Sequence, residues 1–228
     1  MGKTVSGSDM PCPSHHPDEG LVMDYATGAA CEAGSLILAS HMTLCPRCRS
    51  LAEACDVVGG SLLAEIEPEP VSKRCLLAVL AGIGDRRGAA SDPARPRPPA
   101  DIVLPAPLRN HLGTDLNGVA WRRVMPGIEE AHVPTCGGRF KGRLMRIAAG
   151  VAVPRHTHDG VEMTLVLAGG FSDEHGRYYR GDLSVSGPEI DHAPVVDADG
   201  ECVCFVATDG PMKLTGPVAR LFSRFIRF

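Results

Sequence analysis

At 228 residues, 44% hydrophobic and 22% charged, the chain can bury one sizeable core or two small ones, which excludes a miniprotein and a large multidomain enzyme. A formal charge of −4, from 23 Lys and Arg against 27 Asp and Glu, disfavours direct nucleic acid binding, which needs a dense cationic face to displace counterions. No apolar run approaches the roughly 20 residues of a membrane span, and "MGKTVSGSDMPCPSHHPDEG" at the N-terminus has no signal-peptide core. The chain is therefore expected in the cytoplasm. There, cysteines 12, 31, 45, 48, 55, 75, 136, 202 and 204 point to metal ligation or redox chemistry before a disulfide framework.

In chain order, residues 1–85 come first. Leu21 and Tyr25, Leu36 and Ile37, Leu51, Ala54 and Val58, then Leu76, Leu80 and Ile83 recur at helical spacing. Glycines 28, 59, 60 and 84 read as helix ends, which gives a small four-helix domain. The last helix, "SKRCLLAVLAGIG", is apolar on more than one face. It either closes the core of the domain or offers surface to a partner.

Within this half, "HMTLCPRC" sets His41, Cys45 and Cys48 at i, i+4 and i+7, near one another on a helix or across a helix junction. Pro46 favours the junction, because proline fits the first turn of a new helix. Two thiolates and an imidazole make three-quarters of a tetrahedral zinc site. The fourth ligand is one of Cys12, His15, His16 and Cys31. His16 is favoured, because a first helix starting just after it can cross the second and deliver its imidazole. A thioredoxin-like redox pair would need a strand before the CxxC and a βαβ setting, neither of which is present.

From Gly84 to Pro107 the chain is rich in Pro, Gly, Ala and Arg and has no periodicity, so residues 86–107 are expected to form a semi-rigid linker. Residues 108–228 break into short apolar runs, "GRLMRIAAGVAVP", "VEMTLVLAGGFSD", "GRYYRGDLSVSG" and "ECVCFVATDG", which indicates an all-β sandwich or barrel. His156 and His158, two apart on a strand, face the same way into the barrel mouth. Glu162 follows a short turn, and the next strand brings its carboxylate back toward them. His192 arrives from a later hairpin. Three imidazoles and a carboxylate suit zinc, iron, manganese, nickel or copper. His175 sits in a polar turn, and His111 and His132 lack a partner at ligand spacing. Cys202 and Cys204 share one face of a strand, where the expected role is that of small buried hydrophobes. The terminal "ARLFSRFIRF" is read as a cap on the barrel, although docking on a partner or a membrane surface also fits its apolar-basic pattern.

The spacing from Gly150 through His156, His158 and Glu162 to Gly169 resembles the first cupin motif. Gly181 to His192 resembles the second, with Gly187 in place of the usual proline and Glu189 in place of the usual glycine, which leaves the local turn in question. His16 with His41, Cys45 and Cys48 in a short helical domain resembles the zinc-binding domain of bacterial ECF anti-sigma factors. Joined in this order, the two halves resemble the ChrR-type anti-sigma factors, cupin-containing inhibitors of an ECF sigma factor of the RpoE type. That resemblance covers nearly the whole chain, including "DVVGGSLL" and "ECVCFVATDGPMKLTG". It implies a zinc-stapled helical domain that occludes the polymerase-binding surface of the sigma factor. It also implies a cupin that carries zinc on His156, His158, Glu162 and His192 and senses singlet oxygen or peroxides. It implies a regulator rather than an enzyme. The competing class is a cupin metalloenzyme, such as a small-molecule dioxygenase, which would need a redox metal and an open coordination position. A third reading makes Cys45 and Cys48 a thiol sensor that ejects zinc on oxidation.

Overall fold

The structure is a computed structural model that describes residues 12–86, 104–136 and 138–215. Most of the expected linker (residues 87–103) and the apolar-basic C-terminal segment lie outside the described residues. Backbone contacts divide the chain into two compact units, Met1–Asp56 with Val103–Phe228, and Val57–Ile102.

Four helices open the chain, as the apolar spacing requires: α1 (Glu19–Ala26), α2 (Glu32–Leu44), α3 (Pro46–Glu65) and α4 (Lys73–Arg86). Asp18 caps α1 by accepting the Leu21 N–H at 2.9 Å. Gly28 follows that helix at φ +75°, as a helix stop should. Gly59, Gly60 and Gly84, by contrast, lie inside α3 and α4 rather than at helix ends. A helix-interior glycine costs only about 1 kcal/mol, which the rest of a 20-residue α3 and a 14-residue α4 can absorb.

The structure adds α5 (Ala106–Leu112), closed by Gly113 at φ +69°. Its signals are Pro107 in the first turn and that glycine just past the end, and the low-complexity composition before it hides them. The β strands are β1 (Arg122–Met125), β2 (Ile128–Val133), β3 (Lys141–Ile147), β4 (His156–His158), β5 (Glu162–Ala168), β6 (Gly170–Ser172), β7 (Arg177–Tyr179), β8 (Leu183–Ser186), β9 (Val195–Val196), β10 (Cys202–Thr208) and β11 (Met212–Leu214). They form antiparallel sheets in the orders β1-β2-β3-β10-β5-β8, β11-β4 and β7-β6-β9. This is the cupin-like β fold expected downstream of the helices.

Central strand β10 is buried at all seven positions, so both faces of the large sheet are covered. Val203, Phe205 and Ala207 join Leu144 and Leu165 in a core shared with Val22, Ile37, Leu38 and Met42 of α1 and α2 and Leu108 of α5. Cys202, Cys204 and Val206 point the other way, into the barrel, with Ile128, Val166 and Phe171. The first helices are thus packed directly on the outer face of the cupin sheet, within one compact unit.

Candidate metal centres

Helix α2 ends at Cys45, whose backbone is extended (φ −116°, ψ 101°). Pro46 imposes this, since a residue before proline is pushed out of the α region. The proline opens α3, as expected of the junction. The kink turns the Cys45 thiol toward Cys48 one turn into α3, and the Cys48 N–H meets Cys45 Sγ at 3.5 Å. Of the four candidates for the remaining position, His16 is the one brought in. Its Nδ1 lies 3.4 Å from Cys45 Sγ and 3.6 Å from Cys48 Sγ. One donor atom from each of His16, His41, Cys45 and Cys48 falls within 4.8 Å of the others. Ligands held about 2.0–2.3 Å from a common tetrahedral ion stand at such separations.

His41 is fully buried. Its Nδ1 donates to the carbonyl oxygen of Gly181 at 2.8 Å, which leaves Nε2 as the donor atom. That nitrogen has no hydrogen-bond partner among the described residues, a costly state for a buried polar atom unless a cation completes it. Burial lowers the proton affinity of both His16 and His41. Burial, and then the hydrogen bond with Cys45, pushes the Cys48 thiol up to about 12. Without an ion, the imidazoles and the Cys48 thiol are neutral at pH 7.

The second group converges from three segments. His156 and His158 sit at the ends of β4, both buried, Glu162 begins β5, and His192 reaches β4 through backbone hydrogen bonds of 3.0 Å in both directions with His156. The turn before His192, altered from the usual cupin pattern, is closed by the Ile190 N–H on the Gly187 carbonyl at 3.1 Å. His156 Nδ1 donates to Pro154 O at 2.8 Å and His192 Nδ1 donates to Asp173 Oδ2 at 2.8 Å. Their Nε2 atoms face each other at 3.1 Å. Burial drives His156 down to about 4, against the opposing pull of Glu162, so its Nε2 presents a lone pair. Burial also lowers His158, and neither nitrogen of that ring has a hydrogen-bond partner among the described residues. Glu162 is steadied by the Thr164 hydroxyl at 3.1 Å and lies 3.7 Å from His158 Nδ1. Unpartnered imidazole nitrogens around one carboxylate fit a divalent cation.

The cupin group opens on a cleft walled by Met125, Met145, Ile147, Phe171, Met212 and Leu214. Cys204 also lines it, 3.5 Å from Cys202 Sγ. The hydrogen bond with Cys202, and then burial, raises the Cys204 thiol well above its ordinary value, so it is a poor nucleophile. His175 is exposed. Spacing did not mark Asp173 and Asp182, whose partners at the two clusters, His192 and the Ser14–His15 backbone, are remote in sequence. Asp182 accepts the N–H groups of Ser14 (2.6 Å), His15 (2.9 Å) and Tyr179 (2.8 Å). Burial opposes its ionisation, and the three N–H groups outweigh burial and hold the carboxyl below its ordinary value.

Residues 110–212 match the family model of the ChrR cupin-like domain. Fold and site thus define the C-terminal part as a cupin with a His/Glu metal-compatible cluster, preceded by a His/Cys cluster on helices. Over 213 residues, 93% of this chain and 98% of the relative, the sequence is 41% identical to the anti-sigma-E factor ChrR of Cereibacter sphaeroides. Among solved structures, it is similar to the crystal structure of Rhodobacter sphaeroides SigE in complex with the anti-sigma ChrR. The TM-score is 0.73 at 39% identity, over 86% of this chain and 98% of that chain. The chain belongs to the ChrR family of anti-sigma factors.

Proposed function

We propose that this protein holds an ECF sigma factor of the RpoE type inactive in the cytoplasm and releases it under oxidative stress. The observation that carries this reading is the match, over nearly its whole length, to an anti-sigma-E factor ChrR, together with the likeness to a ChrR crystallised with SigE. A surface suited to the task is present. Leu76, Leu77, Val79, Leu80 and Ile83 of α4 are each 50–65% exposed, and Val57, Val58, Leu62 and Leu63 of α3 are exposed as well. Apolar side chains at this density mark a surface made for a partner. This supports the interface reading of "SKRCLLAVLAGIG". No helix among the described residues is long and apolar enough to cross a membrane.

Zinc is the proposed ion at both centres. His16, His41, Cys45 and Cys48 are the donor set of a closed structural site. When bound, such an ion supplies folding free energy on the order of 10 kcal/mol. Pro46 and the Gly181 carbonyl place Cys45 and His41 to receive it. The donors His156, His158, Glu162 and His192 accept zinc or another first-row ion, and the apolar cleft beside them admits a small organic peroxide or dissolved oxygen species. The proposed role of the cupin is sensory, with no catalytic residue assigned.

Co-expression with an untagged ECF sigma factor of the same genome tests the reading. A stoichiometric complex should copurify, carry two zinc ions, and dissociate on illumination with a photosensitiser or on addition of an organic hydroperoxide. Failure of every such sigma factor to copurify would refute the proposal.

A further inference from the structure

The two metal centres are tied together by one stretch of the cupin. At one end, Asp173 grips the His192 imidazole at 2.8 Å. The Asp173 carboxylate also accepts the N–H groups of His175 and Gly176, at 2.8 and 3.1 Å, and so shapes the β6–β7 turn. Strand β7 pairs along β6 and runs on to Gly181 and Asp182. At this other end, the Gly181 carbonyl receives His41 Nδ1. The Asp182 carboxylate receives the Ser14 and His15 N–H groups immediately before His16, and the Leu183 N–H donates to His15 O at 3.1 Å.

Ring contacts run the same way. His15 lies 4.4 Å from Tyr178, and Tyr178 stacks at 4.8 Å on Phe171, a wall of the cupin cleft. Packing at the junction leaves no slack. Gly181, at φ +93°, sits where a Cβ would come within 2.7 Å of Pro13 Cγ. Asp182 is only 2% exposed.

We propose that the Asp173–Asp182 hairpin couples the two centres, Asp173 positioning His192 at one end while Gly181 and Asp182 position His41 and the His16-bearing segment at the other. Two of the four donors of the helical centre are thus held in place by cupin backbone and by a cupin carboxylate. Loosening His192 frees the Asp173 end of the hairpin, and the disturbance reaches His41 and His16 through fixed hydrogen bonds. Coupling of this kind is a free energy shared by two sites, and each reports it. The inference rests on the reading of both clusters as metal centres, and its test does not require the sigma factor.

Cobalt(II) loaded into the full-length protein distinguishes the centres, since only a cysteine-ligated ion gives thiolate-to-metal charge-transfer absorption. Competition with a chelator then measures the affinity of the helical centre alone. His192→Ala should weaken that affinity about fivefold or more, the lower end of typical coupling between sites. Asp173→Asn, which leaves every donor in place, should shift it in the same direction. With Asp182→Ala as background, which removes the acceptor of the Ser14 and His15 N–H groups, His192→Ala should have a smaller effect. A helical centre indifferent to both His192→Ala and Asp173→Asn overturns the coupling, as does an undiminished effect in the Asp182→Ala background. Should Asp182→Ala fail to fold, the Asp173→Asn arm decides alone. Two ions bound independently would refute only the coupling, whereas no uptake at either centre would refute the metal reading and the coupling with it.

Discussion

Cys48 shows how one residue ties the chain's chemistry to its packing. Burial next to Cys45 pushes its thiol up to about 12, so at neutral pH metal must displace a proton to bind there. Loading the helical centre should therefore release at least one proton per ion, and apparent affinity should rise as pH rises toward that value. Dye-monitored proton release in weak buffer measures this, and metal uptake without proton release would contradict it. Cys48→Ala should leave His16 and His41 unable to hold the ion and release the stapled helix ends. The spacing of His41, Cys45 and Cys48 made this cluster legible in the sequence, and the start of α1 singled out His16. Asp182 was not legible, because it acts on backbone N–H groups 167 residues away, and no local pattern records such a partner.

At the level of elements, alternation along β10 does two jobs at once. Phe205, fully buried, faces the helices, while Cys204 on the opposite face lines the cupin cleft. Phe205→Ala removes a large side chain from the core that α1, α2 and α5 share with the sheet, at an expected cost of about 3–5 kcal/mol. Urea unfolding should show it, and a loss under about 1 kcal/mol would mean the helices do not depend on this face. The strands were recognisable from their short apolar runs and the helices from their apolar period, yet the docking of one on the other was not. In "ECVCFVATDG" the six consecutive residues Cys202 to Ala207 are apolar, which signals burial on both faces without saying what covers the second. Helix α5 stayed hidden for a related reason, since Pro105 and Pro107 read equally as linker and as helix start.

At the scale of the whole molecule, the exposed apolar residues of α3 and α4 belong to one unit and the His/Glu cluster of the cupin to the other. Residues 1–85 carry the apolar faces of α3 and α4 and all four donors of the helical centre. That fragment should still bind the sigma factor but lose the response to oxidants. It also exposes Ile37 and Leu38, which the full chain buries, and so should unfold at lower denaturant than the intact protein. Loss of binding in the fragment would instead make the cupin part of the clasp. His156→Ala should leave capture intact and blunt release, because it removes a donor of the cupin centre and none of the helical centre. An undiminished release would remove that centre from sensing.

The most direct measurement is the affinity of the full-length zinc-loaded protein for its sigma factor, compared between the parent chain, Cys48→Ala and His156→Ala by titration calorimetry. A helical clamp fixed by metal predicts tight one-to-one binding for the parent and for His156→Ala, and a loss of at least a hundredfold, about 2.7 kcal/mol, for Cys48→Ala. Equal affinity in all three would contradict it.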